Sequence, residues 1–95
     1  MFVVTTHLRA IQGKEAPLEA ALRKLVQHTR DEPGNSTSIL YRSLENERAF
    51  FLYEVFKDQE SFEEHSVSTH FQETMQTITP WLAQSPGIAV YRQIY

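Results

Sequence analysis

The side chains of this chain that could move protons in a dry environment are carboxylates and imidazoles, because cysteine is absent. Without thiols there is no disulfide framework, no thiolate metal site and no cysteine nucleophile. Glu54 stands inside the strand-like run Phe50-Phe51-Leu52-Tyr53-Glu54-Val55-Phe56. Alternation points it with Leu52 and Phe56 toward the helices. A carboxylate there is poorly solvated, so its pKa should rise toward the range that suits a general base near neutral pH. The plainer alternative is a structural glutamate paired with a basic residue or curled to the sheet edge.

His65 is the second candidate. Phe62 lies three residues before it on the same helical face, so both can look toward the sheet. His65 could take a phenolic proton or orient a substrate oxygen; alternatively it is a buried, backbone-bonded histidine. His70 follows five residues later, a spacing that turns about 140° on a continuous helix and would separate the two rings. Only a break at Ser66 to Ser68 could bring them together. No third donor with recognisable spacing accompanies the pair, so no metal site is expected. His7 and His28 read as structural or solvated.

Tyr41, Phe50, Phe56, Phe62, Phe71 and Trp81 supply aromatic surface to one space between sheet and helices. This is either packed core or the wall of a pocket for a flat aromatic ligand. On the pocket reading the substrate-binding residues are Thr6, Tyr41, Leu52, Phe56, Phe62, His70 and Trp81, with Thr6 and Tyr41 as hydroxyl donors, around Glu54 and His65 as the catalytic pair. Asn35 reads as a turn residue.

The elements that must hold these groups follow from periodicity. Phe2 to Gln12 alternates as a strand. Lys14 to Glu32 carries Leu18, Ala21, Leu22, Leu25, Val26 and Thr29 at helical spacing, with Pro17 in the first turn and Pro33-Gly34 ending it. Ser36 to Leu44 and Ala49 to Lys57 read as a hairpin. With Asn46 and Glu47 as its turn, Ile39, Tyr41 and Ser43 share a face with Phe50, Leu52, Glu54 and Phe56. Asp58 caps a short helix running toward His65, and Ser68 or Thr69 caps a second helix ending near Pro80, Thr69 pairing with Gln72 as a capping box. Pro86-Gly87 turns the chain into a last strand, Ile88 to Tyr95.

The order strand, helix, strand, strand, helix, strand is the split βαβ, ferredoxin-like plan: an α+β fold with one antiparallel sheet and helices on one face. Residues 1–95 fit one domain with a thin core. The opposite sheet face carries Val3, Thr5, Ile11, Leu40, Leu44, Phe51, Tyr53 and Val55 uncovered, so two chains packed sheet to sheet are expected. Lys and Arg number 9 against 12 acids, and no block of positive charge appears, which argues against nucleic acid or an anionic membrane surface as partner. No apolar run is long enough for a membrane span and no basic region precedes Phe2, so the expected address is cytoplasmic.

Over nearly its whole length the sequence resembles the antibiotic biosynthesis monooxygenase (ABM) domains, which include the YgiN-like quinol monooxygenases. The resemblance rests on Glu32-Pro33-Gly34-Asn35, on Phe51-Leu52-Tyr53-Glu54-Val55-Phe56, and on Phe62-Glu63-Glu64-His65 before Ser68-Thr69-His70-Phe71. Phe56 stands where many members have Trp, and Thr69 where many have Pro. The resemblance implies a homodimeric α+β barrel with one small-molecule pocket per subunit, and a cofactor-independent oxidation of a quinol or polycyclic phenol by dioxygen. Relatives also include isomerases and haem-degrading enzymes, so an isomerase, a small-ligand-binding module or haem ligation by His65 or His70 stand as alternatives.

Overall fold

A computed structural model describes residues 1–95. Its elements are β1 (Phe2–Arg9), α1 (Glu15–Arg30), β2 (Asn35–Arg42), β3 (Ala49–Phe56), α2 (Gln59–Ser66), α3 (Thr69–Ile78), a single 3-10 turn (Thr79–Trp81) and β4 (Gly87–Arg92). The strands form one antiparallel sheet in the order β2-β3-β1-β4. This is the ferredoxin-like α+β arrangement, with the helices on one face. No helix is long and apolar enough to cross a membrane.

The helix boundaries have local causes. Pro17 sits in the first turn of α1, where its missing N–H has no intrahelical partner to lose. The α1 residues Leu18, Leu22, Leu25 and Val26 pack with Leu8, Phe50, Leu52 and Ile78 into the core. Asp58 caps α2 by accepting from Ser61 N–H at 2.8 Å. Of the two possible caps for α3, Ser68 is the one used: its Oγ accepts from Phe71 N–H at 3.3 Å and donates to the His65 carbonyl at 2.7 Å. Gln72 instead donates from Nε2 to the Ser66 carbonyl at 2.7 Å. The same hydroxyl thus ends α2 and starts α3.

The hairpin register corrects one expectation. Ser43 pairs with Ala49 through its N–H, at 2.9 Å, closing an odd-numbered loop from Leu44 to Arg48. Ser43 Oγ accepts from the N–H groups of Glu45 and Asn46 at 3.1 Å, and Asn46 Oδ1 accepts from Arg48 N–H at 3.0 Å. Opposite pairs are therefore Ser38 with Glu54, Leu40 with Leu52 and Arg42 with Phe50. A two-residue turn at Asn46-Glu47 would shift the pairing by one, and a one-residue shift moves every side chain of β2 to the other face. Leu40 consequently faces the core, while Ile39 and Tyr41 lie on the face away from the helices. Leu44 is fully exposed in the loop rather than part of that face.

Gly34 sets how closely α2 approaches the start of β2. Its carbonyl accepts from Lys57 N–H at 2.9 Å. A Cβ there would overlap Cβ and Oγ of Ser61 in the first turn of α2. Overpacking of this kind costs about 1 to 3 kcal/mol, so Gly34→Ala should lower the thermal midpoint. Ser61→Gly in the same chain should recover most of the loss, although it weakens α2 by itself. Equal losses in the single and double variants would show that the close approach is not what Gly34 permits.

Candidate active site

Glu54 is 4% exposed in the middle of β3, flanked across the sheet by Val4 and Ser38. Ser38 Oγ donates to Glu54 Oε2 at 3.1 Å. Burial pushes the Glu54 carboxyl above its usual value of 4.5, and the nearby Glu32 pushes the same way; His65 and the Ser38 hydroxyl oppose this without reversing it. The other carboxylate oxygen makes no protein hydrogen bond. Glu54 makes no ion pair with a basic side chain, and its carboxylate is hydrogen-bonded to Ser38 alone.

His65 occupies the last turn of α2 and is 3% exposed. Its ring lies between Phe56 and Phe71, with centroids 5.2 and 4.9 Å away, and near Phe62 at 6.2 Å. Nδ1 is 2.8 Å from Glu32 Oε2. An ionised carboxylate only accepts, so Nδ1 carries the proton and Nε2 keeps a free lone pair, a tautomer assigned from this hydrogen bond. Nε2 has no hydrogen-bond partner, yet no buried side-chain nitrogen or oxygen is left orphaned. It therefore retains access to open space, and the space that His65 lines is the cavity it shares with Glu54.

His70 converges on the same acid. Its Nε2 is 2.6 Å from Glu32 Oε2, and its other ring face stacks on His28 with centroids 5.5 Å apart. The interruption at Val67-Ser68 re-aims α3 so that both histidines meet one carboxylate, as the five-residue spacing required. Glu32 lies in the turn after α1, half-buried, and is the third donor that sequence spacing did not reveal. The only hint was its place in the Glu-Pro-Gly turn; which groups it would face depends on the packing of two later helices. His70 thus stands beside the groove between α1 and α3, away from the cavity.

Thr6, Leu52, Glu54 and His65 line one small, partly open cavity together with Phe71, Met75 and Ile88. Its volume is about 30 Å³, enough for one water and too small for an aromatic ring. The roomy aromatic-walled pocket expected from the sequence is corrected accordingly: most of that space is filled by side chains. Phe56 is fully buried and packs on Phe62 and His65 behind the cavity. Phe62 bridges Phe2 and Phe56. Trp81 packs against the core, and its carbonyl accepts from Ile11 N–H at 2.8 Å. Tyr41 is on the opposite sheet face beside Phe51 and Tyr53, so its hydroxyl does not reach Glu54. Ile88, on the edge strand β4, is 55% exposed, which puts the cavity's way out between β4 and α3.

A family model described as antibiotic biosynthesis monooxygenase matches residues 1–77. The curated Bacillus subtilis (strain 168) protein "Putative monooxygenase YcnE" is 29% identical over 72 residues, covering 76% of each chain. A solved structure from Nitrosomonas europaea, described as a "Putative antibiotic biosynthesis monooxygenase", has a TM-score of 0.96 at 23% identity over 100% of both chains. The Shewanella oneidensis protein SO0527 has a TM-score of 0.90 at 29% identity, covering 97% of this chain and 89% of its own.

The Glu54 environment has a thermodynamic consequence. Between the usual carboxyl value of 4.5 and the raised value in the fold, the folded chain holds a proton that the unfolded chain has released. Stability therefore falls as pH rises through that window, and the cost persists above it. Glu54→Gln should raise the thermal midpoint at neutral pH, and the advantage should fade as pH drops toward 4.5. A pH-independent difference between the two proteins in calorimetry would contradict the buried-charge account.

Proposed function

Because this chain belongs to the antibiotic biosynthesis monooxygenase family, we propose that it is a cofactor-independent monooxygenase acting on a small quinol or related phenol, with Glu54 and His65 as its acid–base pair. The observation that carries this reading is the pairing of a free His65 Nε2 lone pair with a carboxyl of raised pKa in one apolar cavity. A carboxyl that burial pushes toward its protonated form, beside an imidazole nitrogen with a free lone pair, gives one site both a proton donor and a proton acceptor.

His65 Nε2 takes the phenolic proton, and Glu32, through Nδ1–H, holds the ring in the required tautomer and offsets the charge it gains. The quinolate passes an electron to dioxygen, and the two radicals combine at a ring carbon to give a peroxide. Loss of the ring C–H proton then breaks the O–O bond, with Glu54 delivering a proton to the departing oxygen. For the parent quinol the sum is quinol plus O2 giving hydroxyquinone plus water, so the substrate supplies all four electrons. Apolar walls from Leu52, Phe71 and Met75 keep bulk water from the anion. The ring enters from the β4 edge by displacing Met75 and Ile88. Methionine is suited to this, because its unbranched chain repacks at low cost. The small resting cavity favours a one-ring substrate over a polycyclic one. Thr6 and Leu52 contact the ring in this reading.

The reading includes a homodimer built sheet to sheet. Phe51 and Tyr53 face away from the helices, beside Tyr41 and Tyr91, which are 49% and 48% exposed. An apolar face of this kind is unusual on a monomer. Phe51→Lys should shift the protein to monomer in light scattering; an unchanged mass would remove this face from the interface.

His65→Asn should lower oxygen consumption with a quinol by about 10²- to 10⁴-fold, the range for loss of a general base. Glu32→Gln should lower it less, since the imidazole remains. Turnover of the same quinol that is equal with and without oxygen would sink the monooxygenase reading. A carbonyl compound isomerised without oxygen uptake would favour an isomerase on this scaffold.

A further inference from the structure

The Glu32, His65 and His70 side chains do something in the fold that their acid–base role does not need. Base positioning requires Glu32 and His65 alone, yet His70 also reaches Glu32, at 2.6 Å, from a different helix. One ligand atom from each of the three lies within 4.8 Å of the others. Two imidazoles and one carboxylate are a donor set suited to borderline first-row divalent cations. His28, stacked at 16° on His70, restrains that ring. His70 is a quarter exposed at its side chain, beside the groove lined by His28 and Thr69, so an ion has a route in from solvent.

We propose that Glu32, His65 and His70 form a binding site for a divalent transition metal of the zinc class, and that its occupation switches off His65 as a base. A tetrahedral ion with ligand bonds of about 2.0 to 2.2 Å sets its donors roughly 3.3 to 3.6 Å apart. The contacts of 2.8 and 2.6 Å to Glu32 must therefore open by about 0.5 to 1.0 Å, and the two imidazole nitrogens, within 4.8 Å of each other, must take up the same spacing. To bind through Nδ1, His65 must surrender the proton that Glu32 now accepts. That proton is carried by Nε2 in the other neutral tautomer. The lone pair that faced the cavity becomes an N–H donor, with no change in the ring's charge. His70 makes the mirror change, binding through Nε2 with its proton on Nδ1. The second half of the proposal rests on the reading of His65 as the base; the first half does not.

The test uses the full chain and Zn2+ alone. Calorimetry should give one ion per chain, with affinity at least about tenfold weaker in His70→Asn and in Glu32→Gln. His7→Asn, on the far sheet face, should bind as the parent does. Zn2+ should raise the thermal midpoint of the parent but not of His70→Asn, which separates lost binding from lost folding. Nitrogen-15 spectra of the imidazoles should show His65 Nε2 unprotonated without the ion and protonated with it. Binding that is absent, or unchanged in both ligand variants, overturns the site. Binding without the Nε2 change overturns the switch. Binding with the change but with undiminished quinol turnover leaves the metal site standing and overturns His65 as the base.

Discussion

A single carboxylate oxygen, Oε2 of Glu32, accepts from two imidazoles that belong to two helices. The turn after α1, the end of α2 and the start of α3 all meet at this point, and the rest of the site depends on it. Hydrogen bonds to a charged acceptor are stronger than neutral ones, and in a half-buried setting water competes for them less. The junction is made possible by two local features that carry no chemistry. Gly34 lets α2 sit against the turn without a Cβ in the way, and Ser68 closes one helix while opening the next. Moving either would alter the angle at which the imidazoles approach the acid.

The junction reaches the cavity through the tautomer it imposes on His65. A histidine bonded at Nδ1 by a carboxylate presents an acceptor at Nε2, whereas one bonded to a donor would present the opposite. Glu54, across the cavity lining, is kept from ionising easily by burial. The two groups differ because one has a fixed ionic partner and the other has only a serine hydroxyl. Both sit against the same aromatic and aliphatic wall, which gives the difference its chemical use.

Packing density sets the limits on what can bind. The sheet and helices meet around fully buried Leu18, Leu22, Phe50, Phe56 and Ile78, and truncating a leucine in such a core typically costs about 2 to 5 kcal/mol. A core this tight leaves little empty volume, so access falls to the side where cover is thinnest. That side is β4, an edge strand whose Ile88 and Val90 face the helix layer but remain more than half exposed.

The amino-acid sequence by itself determined the element order, the cap at Asp58, a cap at either Ser68 or Thr69, the inward direction of Glu54 and Leu52, and the need for a break between His65 and His70. All of these are set by contacts within a few residues or by the strand and helix periods. The face of Tyr41, the volume beside Glu54 and the meeting of Glu32 with both imidazoles were decided only in the tertiary structure. The first turns on whether a loop closes with an odd or even number of residues, which serine and asparagine side-chain bonds choose. The second depends on how side chains from six elements interdigitate. The third joins residues more than thirty positions apart, where no periodicity links one to the other.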